Sequence, residues 1–180
     1  MSNSTTVLHV HEMASPIGPL VLVASSEGLC SIEFGTMESN RGRLVAWANR
    51  WFGAHELVPS PEALRPVHEQ LEQYFRKERK NFDYKLDLHG TEFQKRVWTG
   101  LCSVAYGETA SYKQIAESIG SPKAVRAVGG ANNRNPIPII IPCHRIIGAG
   151  GALVGYGGGL DIKIHLLRLE GSAAGNERTI

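Results

Sequence analysis

The sequence predicts an α/β N-terminal domain, a small antiparallel sheet with helices, followed by a mainly α C-terminal domain that carries a helix-turn-helix. Three observations predict it. Short apolar runs broken by turn residues fill the segment up to Phe34. Apolar residues recur at helical spacing through much of the second half. Two of those helical segments meet at Gly120-Ser121, the sequence form of a helix-turn-helix.

The elements follow in order. Val7 to Met13 reads as a strand, Ile17-Gly18-Pro19 as turn chemistry, and Leu20 to Ala24 as a second strand. Glu27-Gly28 turns the chain again, and Leu29 to Phe34 alternates as a third strand, which makes a meander. Arg43 to Trp51 and Pro61 to Phe75 are helical candidates. In the latter, Leu64, Val67, Leu71, Tyr74 and Phe75 share one face. Phe82, Tyr84, Leu86 and Leu88 alternate strictly and predict another strand. A domain boundary is placed near Leu88–Gly90, giving domains 1–88 and 89–180. Thr91 and Gln94 have capping-box spacing ahead of the stripe Phe93, Val97 and Leu101. Ser111 to Ile119 is a further helix with Gly120 as its C-cap, and Ser121 is expected to N-cap a helix from Pro122 to about Ala131. Asn135 to Pro142 is too Pro-punctuated for a helix, Gly148 to Gly159 holds seven glycines and reads as a loop, and Leu160 to Glu170 is a last helix before Gly171.

Composition excludes several classes. The chain has 180 residues, 42% apolar and 20% charged, an ordinary globular balance. No apolar run approaches the roughly 18 residues of a spanning helix, and Met1 to His11 lacks the basic and apolar regions of a secretory signal. Three cysteines, Cys30, Cys102 and Cys143, with no Cys-x-x-Cys pair, argue for a reducing compartment, cytoplasm or nucleus. Residues 1–90 carry 9 basic and 11 acidic side chains, whereas residues 91–180 carry 10 and 6. The C-terminal half is therefore the side that an anionic partner would favour.

Within the helix-turn-helix, Ala124, Ala127, Gly130 and Ala131 are small and recur at three- or four-residue spacing. A smooth helix face approaches another surface closely but offers few side chains to read base edges. It serves either ordinary packing or DNA binding with little sequence preference. Arg126 is the large charged residue at the centre, and Lys123 and Arg134 can serve phosphates.

The segment Ile139-Ile140-Ile141-Pro142-Cys143-His144-Arg145-Ile146-Ile147 is the most informative. Its apolar flanks imply burial, and a neighbouring base or cation makes a cysteine nucleophilic. Asn135 precedes it in a Pro-braced turn, and the glycine-rich loop follows. Glu170 sits at a helix end where its charge opposes the macrodipole, so it is a candidate acceptor to orient His144. A buried inert cysteine beside a structural histidine, with Glu170 exposed, is the alternative.

Ile-Pro-Cys-His-Arg with upstream Asn-Pro and downstream Gly-Tyr-x-Gly-Gly-Leu resembles the O6-alkylguanine-DNA alkyltransferases, the methylated-DNA–protein-cysteine methyltransferases. Tyr106 to Thr109, Ser111-Tyr112, Arg126 to Ala131 and Leu169 to Gly171 extend the match over about residues 90–171. The Ser15 to Leu20 segment adds looser support in the N-terminal half. The resemblance implies a ribonuclease-H-like N-terminal scaffold and a C-terminal domain that binds double-stranded DNA in the minor groove and flips out an O6-alkylguanine. It implies Cys143 as nucleophile, His144 as base through a water, Glu170 as its orienting group and Asn135 as the brace of the turn. Tyr112 would crowd the flanking phosphate and contact the guanine, Arg126 would fill the gap in the stack, and Lys113 and Ser121 would lie near phosphates. Tyr156 and Gly157 would line the guanine pocket. The thioether product implies one reaction per molecule. No cofactor and no obligate protein partner are expected. No metal is expected either, because Cys30, His9 and His11 do not reproduce the zinc ligands of some relatives. No further DNA-binding or acceptor domain is expected after Gly171. Gly157 stands where others have Ser, and residues 131–134 are expected to tune pocket size. Rival readings are a lesion-recognition protein without transfer, which the presence of Cys143 disfavours, a sequence-specific regulator, and a Cys-His-Glu hydrolase.

Overall fold

The computed structural model describes residues 4–176. Met1–Asn3 of the N-terminal segment read above lie outside the described residues, as do residues 177–180 of the tail. The chain forms two compact units, Met1–His89 and Gly90–Ile180. No helix among the described residues is long and apolar enough to cross a membrane.

The first unit is built on three antiparallel strands, β1 (Thr6–Met13), β2 (Leu20–Ser25) and β3 (Gly28–Phe34). Residues Leu20 to Ala24 of β2 are all buried, as expected of a central strand covered on both faces. Helix α1 (Met37–Phe52) covers one face. Leu44 and Ala48 pack there on Leu8, Val10, Val21 and Val23, and Trp47, Phe52 and Leu57 flank them. Burying each such Leu or Val contributes about 1.5–3 kcal/mol. The alternate residues His9 and His11 point to the other face, where they bond Ser60 Oγ at 2.7 Å and His68 Nδ1 at 2.8 Å. His68 belongs to α2 (Arg65–Phe75).

Three expectations are corrected in this unit. The sheet is mixed: a fourth strand, β4 (His55–Pro59), pairs parallel to β1, giving the order β3-β2-β1-β4. It is a five-residue edge strand with no fully buried residue, so it leaves no alternation to read. Residues 82–88 form no strand. They run beside β3 through a single bridge, Leu29 to Leu86, with Leu29 N–H donating to Lys85 O (2.9 Å) and Asp87 N–H to Leu29 O (2.8 Å). Helix α1 also begins six residues earlier than Arg43, because Thr36 caps it by accepting from Ser39 N–H at 3.1 Å.

The second unit opens with α3 (Glu92–Leu101), whose Thr91–Gln94 capping box is complete. A second box, Ser111 with Gln114, starts α4 (Tyr112–Ser118). Gly120 follows at φ 76°, a left-handed conformation that lets Ser121 N–H reach back to Ala116 O at 2.9 Å. Helix α5 (Val125–Asn133) starts later than expected. Ser121 does not cap it. Residues 121–124 form a turn, and Ser121 Oγ instead accepts from Arg96 Nη2 (3.0 Å), which also donates to Ile119 O (2.7 Å). Arg96 thus pins the corner between α4 and α5 from α3. On α5, Val128, Ala131 and Asn132 face inward, whereas Arg126, Ala127 and Gly130 are exposed. Of the four small residues read as a smooth face, Ala131 is taken up by packing and Ala124 is half-buried, so only Ala127 and Gly130 stay exposed. Helix α6 (Leu160–Leu169) is followed by a turn of 3₁₀ helix, Ala173–Asn176, and ends with Gly171 N–H donating to Arg168 O (3.0 Å) and Ser172 N–H to Leu167 O (2.9 Å).

Candidate active site

Cys143, His144 and Arg145 form one turn of 3₁₀ helix, entered by Cys143 N–H donating to Ile141 O at 2.8 Å. The chain before it is irregular because Pro136, Pro138 and Pro142 exclude helix. Asn135 holds that irregular stretch in shape. Its Nδ2 donates to Ile141 O (2.8 Å) and its Oδ1 accepts from Ile137 N–H (3.0 Å). Ile139 sits inside the braced loop at φ 75°, buried. Such a conformation costs a β-branched residue about 1–3 kcal/mol and persists only where the surroundings over-determine it.

After the turn the chain enters β6 (Ile146–Ile147), which pairs parallel with β5 (Ala110–Ser111). Because Ser111 caps α4, this pairing brings Tyr112, the first residue of α4, close to the cysteine. Burial, and after it the Cys143 charge, raise the Tyr112 hydroxyl above its ordinary pKa. The Tyr112 ring also lies near α5 at Gly129, where an added Cβ would stand 3.9 Å from it.

Beneath the turn lies a buried ionic cluster. Glu170 caps the C-terminal end of α6, and its side chain is fully buried. Its Oε2 pairs with His144 Nε2 at 2.8 Å. Arg145 grips the same carboxylate with two nitrogens, Nε to Oε1 at 2.8 Å and Nη2 to Oε2 at 2.9 Å. Arg145 Nη1 donates to Val104 O at 2.7 Å, and its guanidinium lies 5.7 Å from the Tyr106 ring centroid. A bidentate, hydrogen-bonded geometry of this kind offsets the cost of burying the charges. Glu170 is thus neither exposed nor a helix-end anomaly: the Arg145 guanidinium and the His144 imidazole that it partners explain its position.

The cluster sets the protonation states. Burial pulls the His144 pKa below 6.5, and the Glu170 partner opposes that only in part, so the imidazole is neutral at pH 7. With Nε2–H directed at the carboxylate, Nδ1 is left as the basic nitrogen, and it has no partner among the described residues. Burial also pushes the Cys143 thiol up, against the Asn135 and Tyr156 side chains and the Lys163 ammonium, which favour the thiolate. Cys143 rests as a thiol. Desolvation at a 4% exposed residue outweighs them.

Of the residues singled out in the sequence, the structure gathers Cys143, His144, Glu170, Asn135, Tyr112 and Tyr156 around one turn. Gly157 lies in the exposed glycine-rich loop, where an added Cβ would stand 3.8 Å from Asn133 O. Lys113 and Arg126 are exposed on α4 and α5, outside the cluster. Sequence reasoning missed Arg145, Arg96 and Lys163 as structural partners. Lys163 left a signal, since it shares the apolar stripe of α6 with Leu166 and Leu167. Cys30 also has partners other than the His9 and His11 considered above. It lies with Asp87 and His89, whose ligand atoms are within 4.8 Å of one another. Burial lifts the Cys30 thiol to about 12, and Asp87 already accepts from Ser25 Oγ at 2.5 Å.

Comparison with known proteins covers both units. The ribonuclease-like domain of 6-O-methylguanine DNA methyltransferase matches residues 8–88, which bears out the expected scaffold, and its DNA binding domain matches residues 92–172. The methylated-DNA–protein-cysteine methyltransferase of Methanosarcina acetivorans is 52% identical over 158 residues, 88% of this chain and 95% of that protein. The enzyme of the same name from Mycobacterium leprae is 48% identical over 166 residues, 91% of this chain and 93% of that one. Mycobacterium tuberculosis OGT, crystallised in complex with DNA, aligns with a TM-score of 0.76 at 42% identity, covering 93% of this chain and 96% of that chain. With models matched across both halves and relatives about half identical along nearly their whole length, the chain belongs to the 6-O-methylguanine DNA methyltransferase family.

Proposed function

We propose that this protein reverses O6-alkyl damage directly, with Cys143 taking the alkyl group from an O6-alkylguanine in duplex DNA and keeping it. The observation that carries this reading is a buried cysteine beside a neutral histidine clamped by a buried carboxylate, inside the unit that matches the family's DNA binding domain.

The chemistry follows from the groups. Because burial holds Cys143 as a thiol, the reaction needs a base at the moment of attack. His144 Nδ1 takes the thiol proton through a bridging water, and Glu170 stabilises the imidazolium that forms. The sulfur attacks the alkyl carbon, an S–C bond forms, and the C–O6 bond breaks with its electron pair staying on guanine. Tyr112 and the backbone N–H of Gly157, in the loop carrying Tyr156, stabilise the developing oxyanion. A thioether has no leaving group that a neighbouring side chain can displace, so each molecule reacts once.

On the DNA side, the exposed face of α5 with Ala127 and Gly130 fits close approach to the minor groove, and Arg126 projects from it. Arg126 fills the space left by the extruded nucleotide, and Lys113 and Ser121 sit toward phosphates. Unstacking a base costs a few kcal/mol. Arg126→Ala is therefore expected to slow transfer from duplex by about 10- to 100-fold while leaving the rate with free O6-benzylguanine base unchanged. An equal loss on both substrates would remove Arg126 from the extrusion step.

Intact and peptide mass spectrometry after mixing with an O6-methylguanine duplex tests the function. One added methyl, confined to the Cys143 peptide and saturating at one per protein, is the expected result. Tight binding with no mass gain would make this a lesion-recognition protein.

A further inference from the structure

Helix α2 ends in a concentration of positive charge that the roles above leave unused. Four of the nine basic side chains of residues 1–90 fall within residues 76–80: Arg76, Lys77, Arg79 and Lys80, beside the single acid Glu78. Elsewhere in that half acids outnumber bases, so the turn is a basic island on an acidic unit. Arg76, Lys77 and Lys80 are exposed.

The island is a built turn. Lys77 N–H donates to Tyr74 O (3.0 Å) and Glu78 N–H to Gln73 O (2.8 Å), the two bonds that close a helix in a Schellman motif. Two glutamines of α2 then staple the chain that follows. Gln73 Oε1 accepts from Arg79 Nε (2.8 Å), and the Gln70 amide donates to Asp83 O (2.8 Å) and accepts from Asp83 N–H (2.9 Å). The left-handed position of the motif is Lys77, at φ 63°. Helix ends usually put Gly there, because a Cβ crowds that conformation. The Lys77 side chain makes no hydrogen bond or ion pair among the described residues. A cation gains from the helix dipole at this end, but it would gain as much in the last turn, without a left-handed backbone. Packing and pairing within the unit therefore do not account for a lysine at this position.

We propose that the turn of residues 76–80 is a second duplex-binding surface, whose exposed Arg76, Lys77 and Lys80 contact DNA phosphates without reading base or lesion. Cations set along one fixed turn match a row of phosphates. The amides beside them, Gln70 and Gln73, are already engaged by the chain and are not free to read base edges. The inference rests on the function proposed above, which makes duplex DNA the polyanion that this protein handles. A lysine that neutralises a phosphate releases condensed counterions, so the contact carries a salt dependence that a merely solvated charge lacks.

Binding of lesion-free duplex by the full chain, followed by fluorescence anisotropy over a range of salt concentrations, tests this. Lys77→Gly is the informative variant, because glycine adopts φ 63° freely and keeps the turn. It is expected to weaken binding by about 3- to 10-fold at low salt and to lower the slope of log K against log salt by about 1, with Tm unchanged or raised. The double variant Lys77→Gly with Lys80→Gln should lower the slope by about 2. Lys85→Gln, at an exposed lysine of the same unit outside the turn, should keep the wild-type slope. A wild-type slope in Lys77→Gly overturns the proposal. An equal drop in Lys85→Gln also overturns it, because net charge alone would then explain the effect. Either result, with transfer by wild type intact, sinks this inference alone. Absence of both duplex binding and transfer by wild type sinks the proposed function and this inference together.

Discussion

A Cys143→Ala protein mixed with duplex carrying O6-methylguanine is expected to bind it and gain no mass. The substitution removes only the sulfur, and the turn that presents it is held by other groups: Asn135 on Ile141 and Ile137, and the Glu170 clamp on His144 and Arg145. The DNA-facing residues of α4 and α5 stay in place, so affinity for the lesion duplex should remain within about threefold, less than 1 kcal/mol. Transfer should fall by at least about 1,000-fold, because no other group can be the nucleophile. Cys30 is buried with its thiol pushed up to about 12, and burial raises Cys102 as well. Gel shift reports the first half of the result and peptide mass spectrometry across Cys30, Cys102 and Cys143 the second. A methyl group on Cys30 or Cys102 of the variant would mean that the nucleophile has been misassigned.

Glu170→Gln should harm both stability and rate. In the native cluster one carboxylate serves His144 and the bidentate Arg145, all three of them buried. The neutral amide keeps the shape but leaves the Arg145 cation without its counter-charge. Breaking a buried pair from one side costs about 3–5 kcal/mol. For a unit of this size that corresponds to a fall in Tm of more than about 10 °C. The amide also no longer stabilises an imidazolium on His144, so transfer by the folded fraction should drop by about 100-fold or more. Differential scanning calorimetry and single-turnover kinetics separate the two effects. The double variant Glu170→Gln with Arg145→Met should regain stability without regaining rate. If rate returns with stability, Glu170 acts through the fold and not through His144.

The same cluster gives wild-type stability a pH dependence. His144 has a folded pKa below its ordinary 6.5, so between the two values the unfolded chain binds the proton and the folded chain does not. Stability is therefore present above about 6.5 and is lost as pH falls from there toward the folded value.

Much of the molecule was legible in local patterns. Strands β1 to β3 show as apolar runs between turns, because a half-buried or central strand must carry them. Helix α3 announces itself by a capping box, since the same hydroxyl–amide exchange that the spacing encodes is made within four residues, and α4 by the Gly120 that ends it. The Cys-His-Arg turn stands out because three polar groups between isoleucines demand buried partners. What only the tertiary structure decided are pairings between residues far apart in the chain. β4 exists because β1 offers it an open edge, not because His55–Pro59 carries strand periodicity. Residues 82–88 alternate like a strand, yet they gain only one bridge on β3. Ser121 has the chemistry of a cap, but Arg96 from α3 takes its hydroxyl. Whether Glu170 would be exposed or buried, and whether Lys163 was a surface charge or a buried one, depended on which carbonyls and cations the fold carried to them. Sequence spacing determines which side chains share a face, and only the folded backbone determines which partners that face meets.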